Sequence, residues 1–214
     1  MDAICVTCED RLKAVVGECD TYACDHYRNT VLKLLKKGTE GLHVRCNIDL
    51  AGMCIESLPA GLRVDGWLNL YHAEIKTLPA DLRVGGWLDL AGTHIKTLPV
   101  GLRVGGWLDL RRTRIESLPE GLQVGGSLDL WGTPIESLPE GLRVGGYLNL
   151  IGTSIKALPE GLQVGAWLDL EGTQIKTLPE NLNVGGEIYI SEGLREGLRE
   201  IPDKFRAQID IKEV

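Results

Sequence analysis

The sequence predicts a solenoid of short repeats, with a parallel β-sheet on one face, short turns, extended return segments and a small α-helical cap at its N-terminal end. Three observations predict it: apolar residues recur every twenty positions, each unit contains a Leu-x-Leu alternation, and each closes on Leu-Pro. Leucine stands at 42, 62, 82, 102, 122, 142, 162 and 182, and valine at every twentieth position from Val44 to Val184. Ile55 recurs as Ile75, Ile95, Ile115, Ile135, Ile155 and Ile175. Seven full repeats run from Gly41 to Glu180, and a partial eighth begins at Asn181.

The unit Gly101–Glu120, "GLRVGGWLDLRRTRIESLPE", shows how each part arises. Trp-Leu-Asp-Leu alternates with period two, which predicts a short strand with Leu108 and Leu110 inward. The Gly-Gly before it supplies turn chemistry, as does the Gly-Thr that follows the strand in most units. Leu118-Pro119 bends the chain and forbids a continuing helix. Twenty residues accommodate one strand and a compact return. Leu108, Leu110, Ile115 and Leu118, with Leu122 and Val124 of the next unit, then fill a shared interior, an apolar set that only stacked coils can bury.

"LDLAGTHIKTLP" and its siblings resemble the leucine-rich repeat, whose core reads L-x-L-x-x-N-x-L. The period and the Leu-Pro ending are similar to the short bacterial class found in Yersinia and Shigella effector proteins. The resemblance covers residues 41–190, implies a bacterial or phage origin, and implies that a concave strand face binds a partner. Two departures stand out: Thr93, Thr113, Thr133, Thr153 and Thr173 occupy the asparagine position, and Gly105 and its equivalents replace the first consensus leucine. A threonine hydroxyl donates and accepts, so a weaker ladder between coils is expected in place of the asparagine ladder.

Alternation sends three columns outward from the strands. The first is aromatic, with Trp67, Trp87, Trp107, Tyr147 and Trp167. The second is acidic, with Asp89, Asp109 and Asp129 diluted by Asn69 and Asn149. The third varies and includes Tyr71, Arg111 and Trp131. Flat rings one strand apart can stack and hold the sheet, and exposed rings also dominate interface hot spots. Carboxylates one strand apart repel, so neutralisation by Arg111, Arg112, Arg114 or a partner is expected. An acidic aromatic face suits a basic protein or peptide. Calcium is disfavoured, because the Gly-Asp nonapeptides of calcium-binding solenoids are absent. The unit at 111–114 reads Arg-Arg-Thr-Arg where its predecessor has Ala-Gly-Thr-His, and Tyr71-His72 likewise replaces Ala-Gly, so specificity is expected at these breaks. A separate basic column, Arg63, Arg83, Arg103 and Arg143, is expected to serve solvation and pairing with acids such as Glu120 and Glu140.

The 214 residues carry a net charge of −7, which argues against nucleic-acid binding through phosphates. No segment is long and apolar enough for a transmembrane helix, and residues 1–16 lack the pattern of a signal peptide. A cytosolic location is expected, with delivery by a route lacking a cleaved signal still open. Residues 1–40 are expected to form a Cys-rich N-terminal cap with a helix over about 25–37, and residues 191–214 a C-terminal cap. Cys5, Cys8, Cys19 and Cys24 follow C-x2-C-x10-C-x4-C, a spacing open to structural zinc, free thiols or disulfides. Cys46 and Cys54 read as substitutions within the scaffold.

The expected function is a non-enzymatic module that binds a protein or peptide on its strand face. The alternative is an effector-like adaptor or a ubiquitin-ligase-type protein acting through the Cys-rich cap. Isolated His72 and His94 offer no nucleophile–base set.

Overall fold

The computed structural model describes residues 33, 37, 38, 40–198 and 201–212. Cys5, Cys8, Cys19 and Cys24, and most of the expected N-terminal helix, lie outside the described residues. Coils one to seven begin at residues 41, 61, 81, 101, 121, 141 and 161.

Each coil contributes two strands of two residues. The Leu-Asp or Leu-Asn pairs, such as Leu108–Asp109, belong to a nine-stranded parallel sheet, called here the Leu sheet. The Arg-Val or Gln-Val pairs, such as Arg103–Val104, build a second, eight-stranded parallel sheet, the Val sheet. Register is in phase with the repeat: Leu88 pairs with Leu108 and Leu108 with Leu128, while Val84 pairs with Val104. The expected single sheet is therefore corrected to two. The Gly-Gly corner cuts the alternation, so Arg-Val is too short to read as a strand from side-chain pattern. Its backbone groups still need partners, and the neighbouring coils supply them.

That second sheet changes the shape of the array. On the Val side Gly85 N–H donates to the Val64 carbonyl at 2.8 Å and Gly105 N–H to Val84 at 2.9 Å. On the Leu side Leu88 N–H donates to Trp107 at 2.8 Å and Leu90 N–H to Asp109 at 2.9 Å. Coil spacing is held to the strand spacing of about 4.8 Å on both sides. A stack bends into a horseshoe only when one side is wider, so the outward Leu-sheet face has no reason to be concave.

The core predicted from coil four is the core observed. Leu108, Leu110 and Ile115 are fully enclosed, and Leu118, Leu122 and Val124 are nearly so. The same six columns continue through the neighbouring coils as one hydrophobic cluster. Each such leucine contributes about 1.5–3 kcal/mol by leaving water.

At the Gly-Gly corner the coils approach too closely for side chains. A Cβ added at Gly105 would stand 2.2 Å from the Gly85 carbonyl oxygen, and the same clash recurs at Gly125, Gly145 and Gly165. The corner glycines are therefore a stacking requirement, which explains why glycine displaces the consensus leucine there. Asp65 takes this position at the first coil interface, where His43 holds it at 2.9 Å and Arg63 at 3.1 Å.

The threonines do not form a ladder between coils. Each of Thr93, Thr113, Thr133, Thr153 and Thr173 donates its hydroxyl to the leucine carbonyl three residues earlier in its own coil, at 2.7–2.8 Å. The hydroxyl is too short to reach the next coil, and the turn carbonyl is beside it. It closes the turn rather than tying turns together.

At the C-terminal end, Ile188–Ser191 leads into a short helix, Glu192–Gly197, capped by Ser191, whose Oγ accepts from Leu194 N–H at 3.3 Å. A last strand, Ile209–Lys212, pairs in parallel with Ile188–Ser191 and closes the Leu sheet. The Val sheet ends one strand sooner, at Asn183–Val184. Its outer carbonyls are met by side chains: Lys204 Nζ donates to Glu180 and Leu182, and Gln208 Nε2 to Val184 at 3.0 Å. Phe205, Leu194 and Leu198 are buried against the end of the core. A bare sheet edge is a template for another chain, and these two side chains occupy it.

Candidate functional site

The outward face of the Leu sheet carries the three columns, and burial sorts them into different roles. In the aromatic column Trp67, Trp87, Trp107, Tyr147 and Trp167 are all half-buried. Trp67 and Trp87 stack with centroids 4.6 Å apart, and Tyr147 and Trp167 at 4.1 Å, nearly parallel in both cases. Ser127 interrupts the column between Trp107 and Tyr147, and its Oγ accepts from Tyr147 N–H at 3.1 Å. Such stacked pairs add about 0.5–1.5 kcal/mol beyond their burial, so this column has a sheet-stabilising role. Among the described residues, Trp107 Nε1 is a buried side-chain donor with no acceptor.

The acidic column is the least accessible of the three. Asp109 is fully buried, Asp129 and Asp169 nearly so, and Asp89 partly. Each Asp or Asn accepts the backbone N–H two residues on, for example Asp89 from Ala91 at 2.9 Å, Asn149 from Ile151 at 3.0 Å and Asp129 from Trp131 at 3.0 Å. This Asx turn needs one side-chain oxygen, which explains why Asn69 and Asn149 substitute freely for Asp. Among the described residues, Arg111 supplies the expected neutralisation at Asp109 and Asp129. Its Nη2 lies 2.6 Å from Asp109 Oδ2 and its Nε 3.8 Å from Asp129, while the guanidinium carbon sits 5.6 Å from the Trp107 ring centroid. The bond to Asp109 holds the Arg111 guanidinium charged beyond its already high usual value. An acidic surface for a basic ligand is thus not what the face presents, because the turns and Arg111 consume the carboxylates.

Burial pushes the Asp89 and Asp129 carboxyls above their usual range, and the Asp109 charge adds to both. A raised folded pKa means that the native chain holds the proton to higher pH than the unfolded chain. Stability from these groups is therefore present at low pH and lost as pH rises from the ordinary carboxylate value through the folded one. Asp89→Asn keeps the Asx turn and removes the charge, so it is expected to raise stability at neutral pH by about 0.5–1 kcal/mol. The gain should vanish near pH 3, as read by denaturant unfolding across pH. A gain independent of pH would show that the charge is not its source.

The variable column and its turn form the exposed part of the face. Tyr71 is 46% exposed, Arg112, Arg114, His72 and His94 are exposed, and Trp131 and Arg111 are half-buried. At the turn's second position five coils use glycine in the left-handed region, at Gly52, Gly92, Gly132, Gly152 and Gly172, with φ between 64° and 69°. His72 (φ 52°) and Arg112 (φ 56°) adopt the same conformation with side chains that disfavour it. Each leans toward the glycine of the following coil: a Cβ on Gly92 would meet the His72 ring at 2.6 Å, and one on Gly132 would lie 3.9 Å from Arg112 Cγ. Arg112 thereby reaches Trp131, its guanidinium carbon 4.5 Å from the ring centroid, and His72 meets Tyr71 edge-on at 4.3 Å. The sequence marks these positions as breaks in the repeat. The backbone strain they carry is visible only in φ, although the five glycines at the equivalent position signal it.

The basic column on the Val sheet, Arg63, Arg83, Arg103 and Arg143, is exposed. Arg63 pairs with Asp65, its neighbour on the same coil, rather than with the glutamates expected. Cys46 is half-buried, and Cys54 is exposed. Among the described residues no helix is long and apolar enough to cross a membrane.

Fold and face together define a repeat-built parallel β-solenoid with one Val-sheet strand per turn over eight turns. Neither a family model nor a curated protein matches the chain.

Proposed function

We propose that the protein is a non-enzymatic binding module that holds a protein or peptide on the outward Leu-sheet face, at the edge formed by the variable column and its turn. The observation that carries this reading is the left-handed backbone of His72 and Arg112. Glycine serves the scaffold at five equivalent turns, and a non-glycine residue there costs about 1 kcal/mol or more. Both residues place a polar group beside an aromatic ring, Tyr71 in one case and Trp131 in the other. Strain retained at the surface next to interface-prone residues supports recognition rather than scaffolding.

The test is selection from a random peptide library on the full chain, followed by affinity measurement on a Tyr71→Ala/Trp131→Ala variant. Enriched peptides are expected to lose about tenfold or more, the usual loss at aromatic hot spots. Peptides that bind the variant equally well, or no enrichment at all, would overturn the reading.

A further inference from the structure

We propose that the turn edge around coil four binds a carboxylate-bearing peptide segment, with Arg112 and Arg114 as the anion-binding residues. This rests on the binding-module reading and gives the partner a charge opposite to that expected from the acidic aromatic columns.

The carboxylates of the Leu-sheet face are withdrawn: Asp109 is fully buried under Arg111, and Asp129 is nearly so. The cations beside them are on display. Arg112 and Arg114 are both exposed, while Thr113 and Ile115 between and after them are buried. Arg112 and Arg114 are thus two exposed cations two residues apart, at and just after the left-handed turn. Among the described residues, neither guanidinium has a hydrogen bond or ion pair. The Arg112 guanidinium carbon lies over the Trp131 ring, 4.5 Å from its centroid, and its planar N–H donors suit a carboxylate. Gly92 and Gly132 flank Arg112 in the adjacent coils, so no side chain hems it in at that height. Coil three adds exposed His94 and Lys96 beside Arg114, while the exposed acids Glu116 and Glu136 stand two positions farther along in coils four and five.

Two exposed cations two residues apart favour two carboxylates close together in the ligand's sequence, so the motif tested is Asp/Glu-x-Asp/Glu. Trp131 beside Arg112 offers a surface for an aromatic or aliphatic neighbour. A long polyanion is disfavoured by the chain's net charge of −7, which leaves a short acidic segment of another protein as the occupant.

The test uses fluorescence polarisation with three labelled probes: an extended peptide with glutamate at alternate positions, the same peptide with lysine for glutamate, and a short oligothymidylate. The variants are Arg112→Gly and Arg114→Gln, which install residues that other coils already carry at these positions, Gly132 and Gln174. The glutamate peptide is expected to bind, to weaken about tenfold with each variant, and to weaken with added salt. Preference for the lysine peptide would overturn the proposal, as would glutamate-peptide binding indifferent to both variants. Oligothymidylate binding lost in the same variants would overturn it in favour of nucleic acid. If library selection yields peptides that need Trp131 but carry no acids, the binding module stands and this inference alone falls.

Discussion

Arg111→Met is expected to destabilise the protein by about 3 kcal/mol, the usual cost of stripping a buried charge of its partner. Asp109 lies fully buried with its Oδ2 2.6 Å from Arg111 Nη2, and Asp89 and Asp129 stand one strand away on either side. Removing the cation leaves three stacked carboxylates at strand spacing. The loss should be greatest at neutral pH and shrink as pH falls toward the carboxylate range, because protonation removes the repulsion. The double variant Arg111→Met/Asp109→Asn should recover most of it, since asparagine supports the same Asx turn at Asn69 and Asn149. Denaturant unfolding of the four proteins in the cycle measures this. A double variant as unstable as the single one would place the cost in lost packing of Arg111 over Trp107 rather than in charge.

Gly105→Ala is expected to cost about 3 kcal/mol, the upper end for overpacking, and to lower the melting temperature by about 6–12 °C for a chain of this size. Its Cβ would stand 2.2 Å from a backbone oxygen of coil three, and no rotamer relieves that contact. The neighbouring Gly106→Ala is the control. Its Cβ would also be tight, with the nearest atom the Gly86 carbonyl carbon at 2.9 Å, yet coil seven carries Ala166 at the equivalent position. A smaller loss is expected there. Equal losses in thermal melts would show that contact with the preceding carbonyl is not what excludes a side chain at residue 105.

The sequence discloses those parts of the fold that depend on side-chain identity repeated at a fixed period. Leu108, Leu110, Ile115 and Leu118 are core because one apolar type recurs at each position, and Trp107 is outward because alternation leaves it no other side. What backbone geometry decides was hidden. The Val sheet rests on N–H and carbonyl groups that every residue carries, so Arg103–Val104 gives no side-chain signal of pairing. The acidic column reads as surface charge because alternation reports direction and not depth: Asp109 does point away from the leucines, yet Arg111 and the neighbouring coils cover it. The local bond of Thr113 to Leu110 also follows from reach. At the candidate site, residues 111–114 stand out as a departure from the repeat, whereas the left-handed strain at Arg112 lies in its backbone and is signalled only by the glycines at the equivalent position.

Equal spacing on both sheets makes the solenoid a ruler. Its graduations fall about every 4.8 Å along the axis, and the left-handed residues His72 and Arg112, which share one turn position, are two marks apart, about 9.6 Å. A β-strand laid along that axis advances about 3.3 Å per residue and turns its side chains alternately to and from the surface, so its third residue reaches the second mark facing away. A polyproline II segment advances about 3.1 Å per residue with three residues per turn. It returns the same face after about 9.3 Å, in step with the marks.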